Sequence, residues 1–318
     1  MKRIAIIGGG ISGLSAAYAL QRERDRGADL EYTLYEASQR LGGVLVTERI
    51  DECLVEAGPD SFLSEKSWGL DFCRELGLGD QLIGSNDAER KTYILVKDRL
   101  VPIPDGLMFM VPTRVLPIVF TPLFSWGAKL HMVQEYFHRP SANLNQRDET
   151  VAEMVERHFG PEMVERLADP LLAGVYGGAA AELSAAAVLP RFVEMEKRYG
   201  SLSRAMLAAR RQRAQAAANN NGAVPNVPRP LFTSLRDGMQ QLVDAIVPRL
   251  APGAARTGCG IRELTCGTAG PSWRVVPPQG PAADFDGIIL AVPAHVSAQL
   301  LASAGSQLSA ELAQIPYS

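Results

Sequence analysis

The sequence predicts an α/β fold founded on a parallel sheet, and three observations carry that prediction. Residues 3–7 (RIAII) are a short, continuous, β-branched apolar run, the pattern of a strand buried on both faces. Residues 12–24 then show helical spacing, with Leu14, Ala17, Tyr18 and Gln21 on one face, and residues 31–35 (EYTLY) form a second strand, completing a βαβ unit. Far along the chain, residues 285–292 (FDGIILAV) repeat the buried-strand pattern, with Pro293 ending it and a helix from about His295.

The elements between follow in order. Residues 68–76 read as a short helix ended by Gly77. Residues 92–96 and 99–103 flank Lys97-Asp98 and read as a hairpin. Residues 105–140 are apolar and broken by Pro112, Pro117 and Pro122. Thr150-x-x-Glu153 is a capping-box pattern that opens a helix to His158, and helical patterns run on to about Arg213. Residues 211–231, polar and then proline-rich, read as a loop or linker. Residues 239–250 read as a helix interrupted near Pro248.

Composition excludes several functional classes. The 318 residues are 47% hydrophobic and 21% charged with a net charge of −3, an ordinary globular balance that speaks against a nucleic-acid partner. Cys53, Cys73, Cys259 and Cys266 form no C-x-x-C and do not cluster with His131, His138, His158 or His295, so neither a metal site nor a disulfide framework is expected. The apolar run after Lys2-Arg3 stops at three glycines, unlike a signal peptide, and no stretch reaches membrane-span length. The expected location is cytoplasmic.

Gly8-x-Gly10-x-x-Gly13 lies between the first strand and the first helix, where a phosphate-binding loop belongs. Gly8 permits the tight turn, Gly10 lets a pyrophosphate approach the backbone, and Gly13 lets helix and strand pack closely. The free N–H groups at the helix start, over Gly9, Ile11 and Ser12, favour phosphate. Glu36, 23 residues after Gly13, suits both hydroxyls of an adenosine ribose and repels a 2′-phosphate. To this point NAD and FAD are served equally.

The segment Glu36-Ala37-Ser38-Gln39-Arg40-Leu41-Gly42-Gly43 resembles the E-A-x-x-R-x-G-G stretch of amine-oxidase-like flavoproteins. Glu56-Ala57-Gly58-Pro59-Asp60-Ser61-Phe62, Pro170-Leu171-Leu172-Ala173-Gly174-Val175-Tyr176-Gly177-Gly178 and Ser234-Leu235-Arg236-Asp237-Gly238-Met239-Gln240-Gln241-Leu242-Val243 resemble successive blocks of the bacterial protoporphyrinogen and coproporphyrinogen oxidases. Together they span nearly the whole chain.

The resemblance implies a Rossmann-like FAD-binding parallel sheet with an inserted mainly helical domain and part of a mixed α+β substrate domain. The divisions expected are 1–88 and 232–300 for FAD, 89–104 for a substrate-domain hairpin, 105–213 for the helical insertion, 214–231 for a linker, and 301–318 for the start of a further substrate segment. It implies non-covalent FAD that removes electrons from a porphyrinogen in two-electron steps, with O2 as the acceptor, in heme biosynthesis. The flavin is then the hydride acceptor and no protein side chain is assigned as catalytic. Gly42 and Gly43 approach the FAD diphosphate with Arg40 supplying positive charge, and Gly58, Pro59, Asp60 and Ser61 join the cofactor site. Residues 256–264 correspond to a strand whose backbone meets the adenine, with Ile261 as the contact and Ala291-Val292-Pro293 nearby.

On the substrate side, Gly178 matches a glycine near the tetrapyrrole. Thr92 aligns with a propionate-pairing Arg of eukaryotic members, for which Arg90, Lys91 or Lys97 can substitute. Residues 105–133, with Met108, Phe109, Phe120, Phe124 and Trp126, correspond to a region that contacts the membrane in the family, giving a peripheral inner-membrane contact. A buried core over the substrate pocket is the other reading of that stretch. The family continues well past the segment that resembles residues 315–318, so a fragment or truncated product is expected. Two alternatives stay open: a flavin amine oxidase or carotenoid desaturase, and a non-catalytic FAD-binding fragment.

Overall fold

The computed structural model describes residues 1–86, 91–108, 110–139, 148–219, 230–266 and 272–317. Arg90, Phe109 and residues 220–229 of the expected linker lie outside the described residues. The chain divides into two compact units, one made of Met1–Ala88 and Pro228–Tyr317 and the other of Glu89–Val227.

The first unit opens with β1 (Lys2–Ile7), α1 (Ile11–Asp25) and β2 (Leu30–Tyr35). A hairpin of β3 (Thr47–Ile50) and β4 (Cys53–Glu56) leads to β5 (Phe62–Leu63), α2 (Ser67–Glu75) and β6 (Leu82–Gly84). The second unit holds the hairpins β7 (Tyr93–Val96) with β8 (Arg99–Pro102) and β9 (Leu107–Met108) with β10 (Val111–Pro112). Helices α3 (Val115–Phe120), α4 (Trp126–Glu135), α5 (Val151–Phe159), α6 (Pro161–Met163), α7 (Asp169–Tyr176), α8 (Ala185–Val188), α9 (Pro190–Tyr199) and α10 (Leu202–Asn219) follow. A π-helical turn over Val164–Ala168 joins α6 to α7. The chain then returns to the first unit through β11 (Phe232–Leu235), α11 (Gln240–Ile246), β12 (Ala255–Arg256), β13 (Glu263–Cys266), β14 (Trp273–Val276), β15 (Ala283–Phe285), β16 (Gly287–Leu290), α12 (Ala294–Leu301) and α13 (Ser306–Ala313).

β12, β2, β1 and β16 form, in that order, a four-stranded sheet that is parallel throughout. β1 is apolar at successive positions because both its faces are covered. Ile6 joins Leu14, Leu34 and Ile246 in one apolar cluster, and Ala5 and Ile7 join Leu264, Phe285 and Leu300 in another. β2 lies on one side of β1 and β16 on the other, so the strand order reverses at β1. In parallel sheets that reversal opens a crevice at the carboxyl ends of the strands.

Two strand expectations need correction. Residues 256–264 are not one strand: β12 ends at Arg256, β13 begins at Glu263, and irregular backbone carrying Ile261 separates them. Here the chain leaves the parallel sheet for an antiparallel meander of β13, β14 and β15. Residues 285–292 are likewise divided. Phe285 ends β15, and Asp286 donates its N–H to the Arg3 carbonyl, carrying the chain across to β1. Only Gly287–Leu290 enters the parallel sheet.

In the second unit, Lys97 and Asp98 adopt φ of 47° and 59°, the left-handed pair that a two-residue hairpin turn needs. The Thr150 hydroxyl accepts the Glu153 N–H at 3.1 Å while the Glu153 carboxylate accepts the Thr150 N–H at 2.8 Å, completing the predicted capping box. The core gathers Leu123, Met154, Phe159, Met163 and Leu167, all without exposed surface or nearly so.

This unit also buries charge. His158 lies between two carboxylates, its Nδ1 3.1 Å from Glu135 and its Nε2 3.1 Å from Glu196. Glu135 also accepts the Leu202 and Ser203 N–H groups at 2.6 and 3.2 Å and the Ser201 hydroxyl at 3.1 Å, capping α10. The Arg157 guanidinium reaches Glu196 and Glu149. Burial alone would lower the His158 pKa, but hydrogen bonds to Glu135 and Glu196 raise it. Burial would raise Glu196, yet the bonds from His158 and Arg157 hold it at about 2. Glu135 is lowered against its own desolvation by the His158 bond first. Together they hold the imidazole between two carboxylates that favour its charged form.

Candidate functional site

The candidate site is assembled at the carboxyl ends of β1, β2 and β16. Gly8 continues the ladder, donating its N–H to the Tyr35 carbonyl at 2.8 Å, and then turns with φ +109°. A Cβ at Gly8 would stand 2.5 Å from the Ala291 carbonyl oxygen, and one at Gly13 would stand 1.8 Å from the Gly8 carbonyl oxygen. Both glycines are therefore required by the protein's own packing. Gly10 is different: a Cβ there would meet nothing nearer than the Gly43 Cα at 3.9 Å. No side chain caps α1 and no acid lies in its first turn, so the helix start keeps its positive potential toward the loop.

Glu36 follows β2. Its carboxylate accepts the Gly9 N–H at 2.6 Å and the Ser38 N–H at 2.7 Å, which fixes it beside the first glycine loop with a lone pair on each oxygen to spare. Ala37 is exposed, and Gly260 approaches it closely. Gly42 (φ +108°) and Gly43 (φ +58°) fold back onto the first loop, where Gly42 donates its N–H to the Gly9 carbonyl at 2.8 Å. A Cβ at Gly43 would lie 2.9 Å from the Gly10 Cα, so the two loops touch through bare backbone. The Arg40 guanidinium donates to the carbonyls of Leu41, Leu45 and Gly43 and braces this second loop from within, a task absent from the sequence expectation.

The third segment packs on the second. Gly58 sits against Val44, with its missing Cβ 1.9 Å from the Val44 carbonyl oxygen. Pro59 and Asp60 are exposed, the Asp60 carbonyl accepts the Ser234 hydroxyl at 2.6 Å, and the Ser61 hydroxyl bonds the Asp60 carboxylate at 2.7 Å. The irregular stretch after β12 also reaches the site. Gly258 and Cys259 donate to the carbonyls of Ser38 and Glu36 at 2.7 and 2.8 Å. Ile261, half-buried, packs with the meander's apolar cluster. Ala291 donates to the Ile7 carbonyl at 2.8 Å, holding Ala291-Val292 under Gly8. A separate hollow of about 290 Å³, lined among others by Ser64, Arg74, Gly84 and Thr233, shares no residue with these loops.

In the second unit, Gly178 is half-buried, and a Cβ there would make only an ordinary 3.7 Å contact with Leu183. The left-handed turn that closes α7 is taken by Gly177 at φ +69°, so Gly178 is not demanded by the turn. Thr92 and Lys91 are exposed, and Lys97 sits in the hairpin turn. The apolar stretch 105–133 divides into buried and exposed side chains. Met110, Ile118, Leu123 and Phe124 are buried, whereas Phe120 is 80% and Trp126 72% exposed. No described helix is long and apolar enough to cross a membrane.

Sequence reasoning missed Glu56 and Thr47, which meet the turn before α11. Asp237-Gly238, a turn dipeptide, was the available signal.

Comparison with known proteins fits this geometry. The family described as flavin containing amine oxidoreductase matches residues 11–317. The chain is 33% identical to the coproporphyrinogen III oxidase of Bacillus subtilis (strain 168), over 94% of this chain and 62% of that one. It is also 33% identical to the coproporphyrinogen III oxidase of Propionibacterium freudenreichii, over 98% of this chain and 61% of that one. A crystal structure from Exiguobacterium sp. 255-15, of a protein provisionally named a protoporphyrinogen oxidase, superposes with a TM-score of 0.81 at 30% identity, over 98% of this chain and 63% of that one. The chain thus spans about three fifths of the length of the relatives it matches.

Proposed function

Because this chain belongs to the flavin containing amine oxidoreductase family, we propose that it carries the nucleotide-binding site of an FAD-dependent porphyrinogen oxidase of heme biosynthesis. The observation that carries the cofactor half of this reading is the contact of two glycine loops, Gly8–Gly13 and Gly42–Gly43, at the end of a parallel sheet. The bare Cα of Gly10 and the uncapped start of α1 suit a diphosphate. Glu36, held by Gly9 and Ser38, presents its remaining lone pairs to a ribose, and Ala37 and Ile261 flank the adenine. Gly58, Pro59, Asp60 and Ser61 back the second loop on the flavin side. FAD when bound accepts the substrate's hydride equivalents, and O2 takes them onward. The binding is non-covalent.

For the substrate, the relatives named coproporphyrinogen III oxidase favour coproporphyrinogen III over protoporphyrinogen IX. Gly178 leaves space that a flat tetrapyrrole can use, since no turn in the protein demands a glycine there. Thr92 leaves propionate pairing to a neighbouring cation such as Lys91. A second reading concerns location: exposed Phe120 and Trp126 support peripheral attachment to a membrane. Flotation with liposomes that is lost on Phe120→Glu and Trp126→Glu is the expected result, and no flotation at any lipid composition removes the idea.

The primary test is a visible spectrum of the purified chain after incubation with FAD and desalting, followed by turnover of coproporphyrinogen III read as porphyrin fluorescence. A retained flavin band with turnover supports the whole reading. Retained flavin without turnover reduces it to a cofactor-binding part, and turnover of a polyamine or phytoene instead replaces it with an amine oxidase or a carotenoid desaturase.

A further inference from the structure

The carboxylate of Glu56 lies at the end of β4, opposite Thr47 at the start of β3. It accepts the Thr47 hydroxyl at 2.8 Å through one oxygen and the Met239 N–H at 2.7 Å through the other. The Thr47 hydroxyl oxygen in turn accepts the Gln240 N–H at 3.0 Å. Among the described residues no cation pairs with this half-buried carboxylate, so its ties are to the turn and the hairpin alone. Gly238, at φ +96°, is pressed so close that a Cβ would stand 2.2 Å from Thr47. The turn that starts α11 is therefore clamped onto the hairpin end.

α11 then leans on the second glycine loop. A Cβ at Gly42 would meet a Val243 methyl at 2.9 Å, so Val243 is the surface on which Gly42 rests. Gly42 is bonded to Gly9, and Gly43 touches Gly10. A second connection runs from the residue after Glu56: Ala57 donates its N–H to the Val46 carbonyl at 2.9 Å, and Gly58 lies on Val44. Glu56 thus governs both supports of the Gly42–Val46 loop, the helix behind it and the strand end beside it.

We propose that Glu56 is a positioning residue that seats the Gly42–Gly43 loop on Gly9–Gly10 and so sets the width of the diphosphate cradle. This rests on the flavin reading for its ligand, though not for its geometry. Glutamine is the informative replacement, because it keeps the size but removes the charge, and it can keep the Met239 N–H only by turning its NH2 to the Thr47 oxygen, whose O–H must then rotate away. Thr47→Val removes the relay to Gln240 without changing shape.

The test compares equilibrium binding of ADP and of adenosine to the full chain, together with amide hydrogen exchange at Gly42 in the unliganded protein. In Glu56→Gln, ADP affinity is expected to fall about tenfold while adenosine affinity changes by less than about twofold, since the clamp that is weakened supports the loop facing the diphosphate and not the adenosine side. Gly42 exchange should accelerate, and Thr47→Val should give the same pattern more weakly. Equal losses for ADP and adenosine reveal a merely structural role and overturn the proposal. So does unchanged ADP binding with unchanged exchange. If the wild-type chain binds neither ADP nor FAD, the flavin reading fails by itself, and Gly42 exchange then decides the role of Glu56. Should Glu56→Gln fail to fold, Thr47→Val carries the test alone.

Discussion

The glycine loops of the first unit and the His158 clasp of the second solve opposite problems. Around Gly8–Gly13 and Gly42–Gly43 the sequence removes side chains until backbone touches backbone, and the charged groups that join in, Glu36 and Arg40, bond to backbone N–H groups and carbonyls. Around His158 the sequence adds charge where water is excluded, with Glu135 and His158 at 0% and 2% exposure, and balances it partner by partner. The first arrangement specifies space, so an added methyl is the damaging change. The second specifies charge, so a missing partner is the damaging change, because what remains is an uncompensated buried ion.

Four measurements sharpen or break that contrast. Glu135→Ala strands His158 and two N–H groups of α10 and should cost about 3–5 kcal/mol in denaturant unfolding, while flavin retained under native conditions stays at the wild-type level. Loss of flavin along with stability would show that the two regions are not independent. Gly13→Ala forces a shift of α1 from Gly8 and should cost about 1–3 kcal/mol together with the flavin band. Gly10→Ala meets open space, so its stability should stay within about 0.5 kcal/mol of wild type, yet FAD affinity should fall at least about tenfold. Normal FAD affinity in that variant would remove Gly10 from the cradle.

The smallest effect is the pH dependence of the clasp. His158 is raised from 6.5 in the fold, so its contribution is fully present below pH 6.5 and fades as pH rises through the higher folded value. Glu135 and Glu196 are lowered from 4.5, so theirs is present above pH 4.5 and fades on acidification, for Glu196 toward about 2. Thermal melts should therefore show the helical unit losing stability above pH 6.5, and a His158→Gln variant should lose that dependence. A slope of the same size in both proteins would assign it to other groups.

What the sequence made legible follows from how local the signals were. The βαβ opening, the hairpin at Lys97-Asp98 and the box at Thr150 and Glu153 each depend on residues a few positions apart, and all three are found. The run at 256–264 failed because strand formation depends on a partner: Gly258 and Cys259 bond to residues 36–38, so the middle of the run joins neither the ladder before it nor the one after it. The run at 285–292 failed at Asp286, where the chain changes neighbours between one apolar residue and the next. In the candidate site, the reasons for Gly8 and Gly13 were readable from the motif. The bracing role of Arg40 and the clamp at Glu56 were not, because both are settled by carbonyls and N–H groups that carry no residue identity. The clasp was hidden too, since Glu135 meets His158 across 23 residues and Ser201 across 66.

The π-helical turn at Val164–Ala168 fixes the phase of everything after it. Pro170 lies at the start of α7 and has no N–H to give, so the wider turn before it spares the helix a clash that tight winding would bring. Each residue of an α-helix advances the chain by about 100° around its axis. One residue added to regular winding would turn everything after it by about that angle, and the wide turn takes that residue up, keeping Leu172 on the core and Val175 and Tyr176 outward. The angular setting of the glycine pair that closes α7 is thus written nine to fourteen residues upstream, in a single loose winding of the helix.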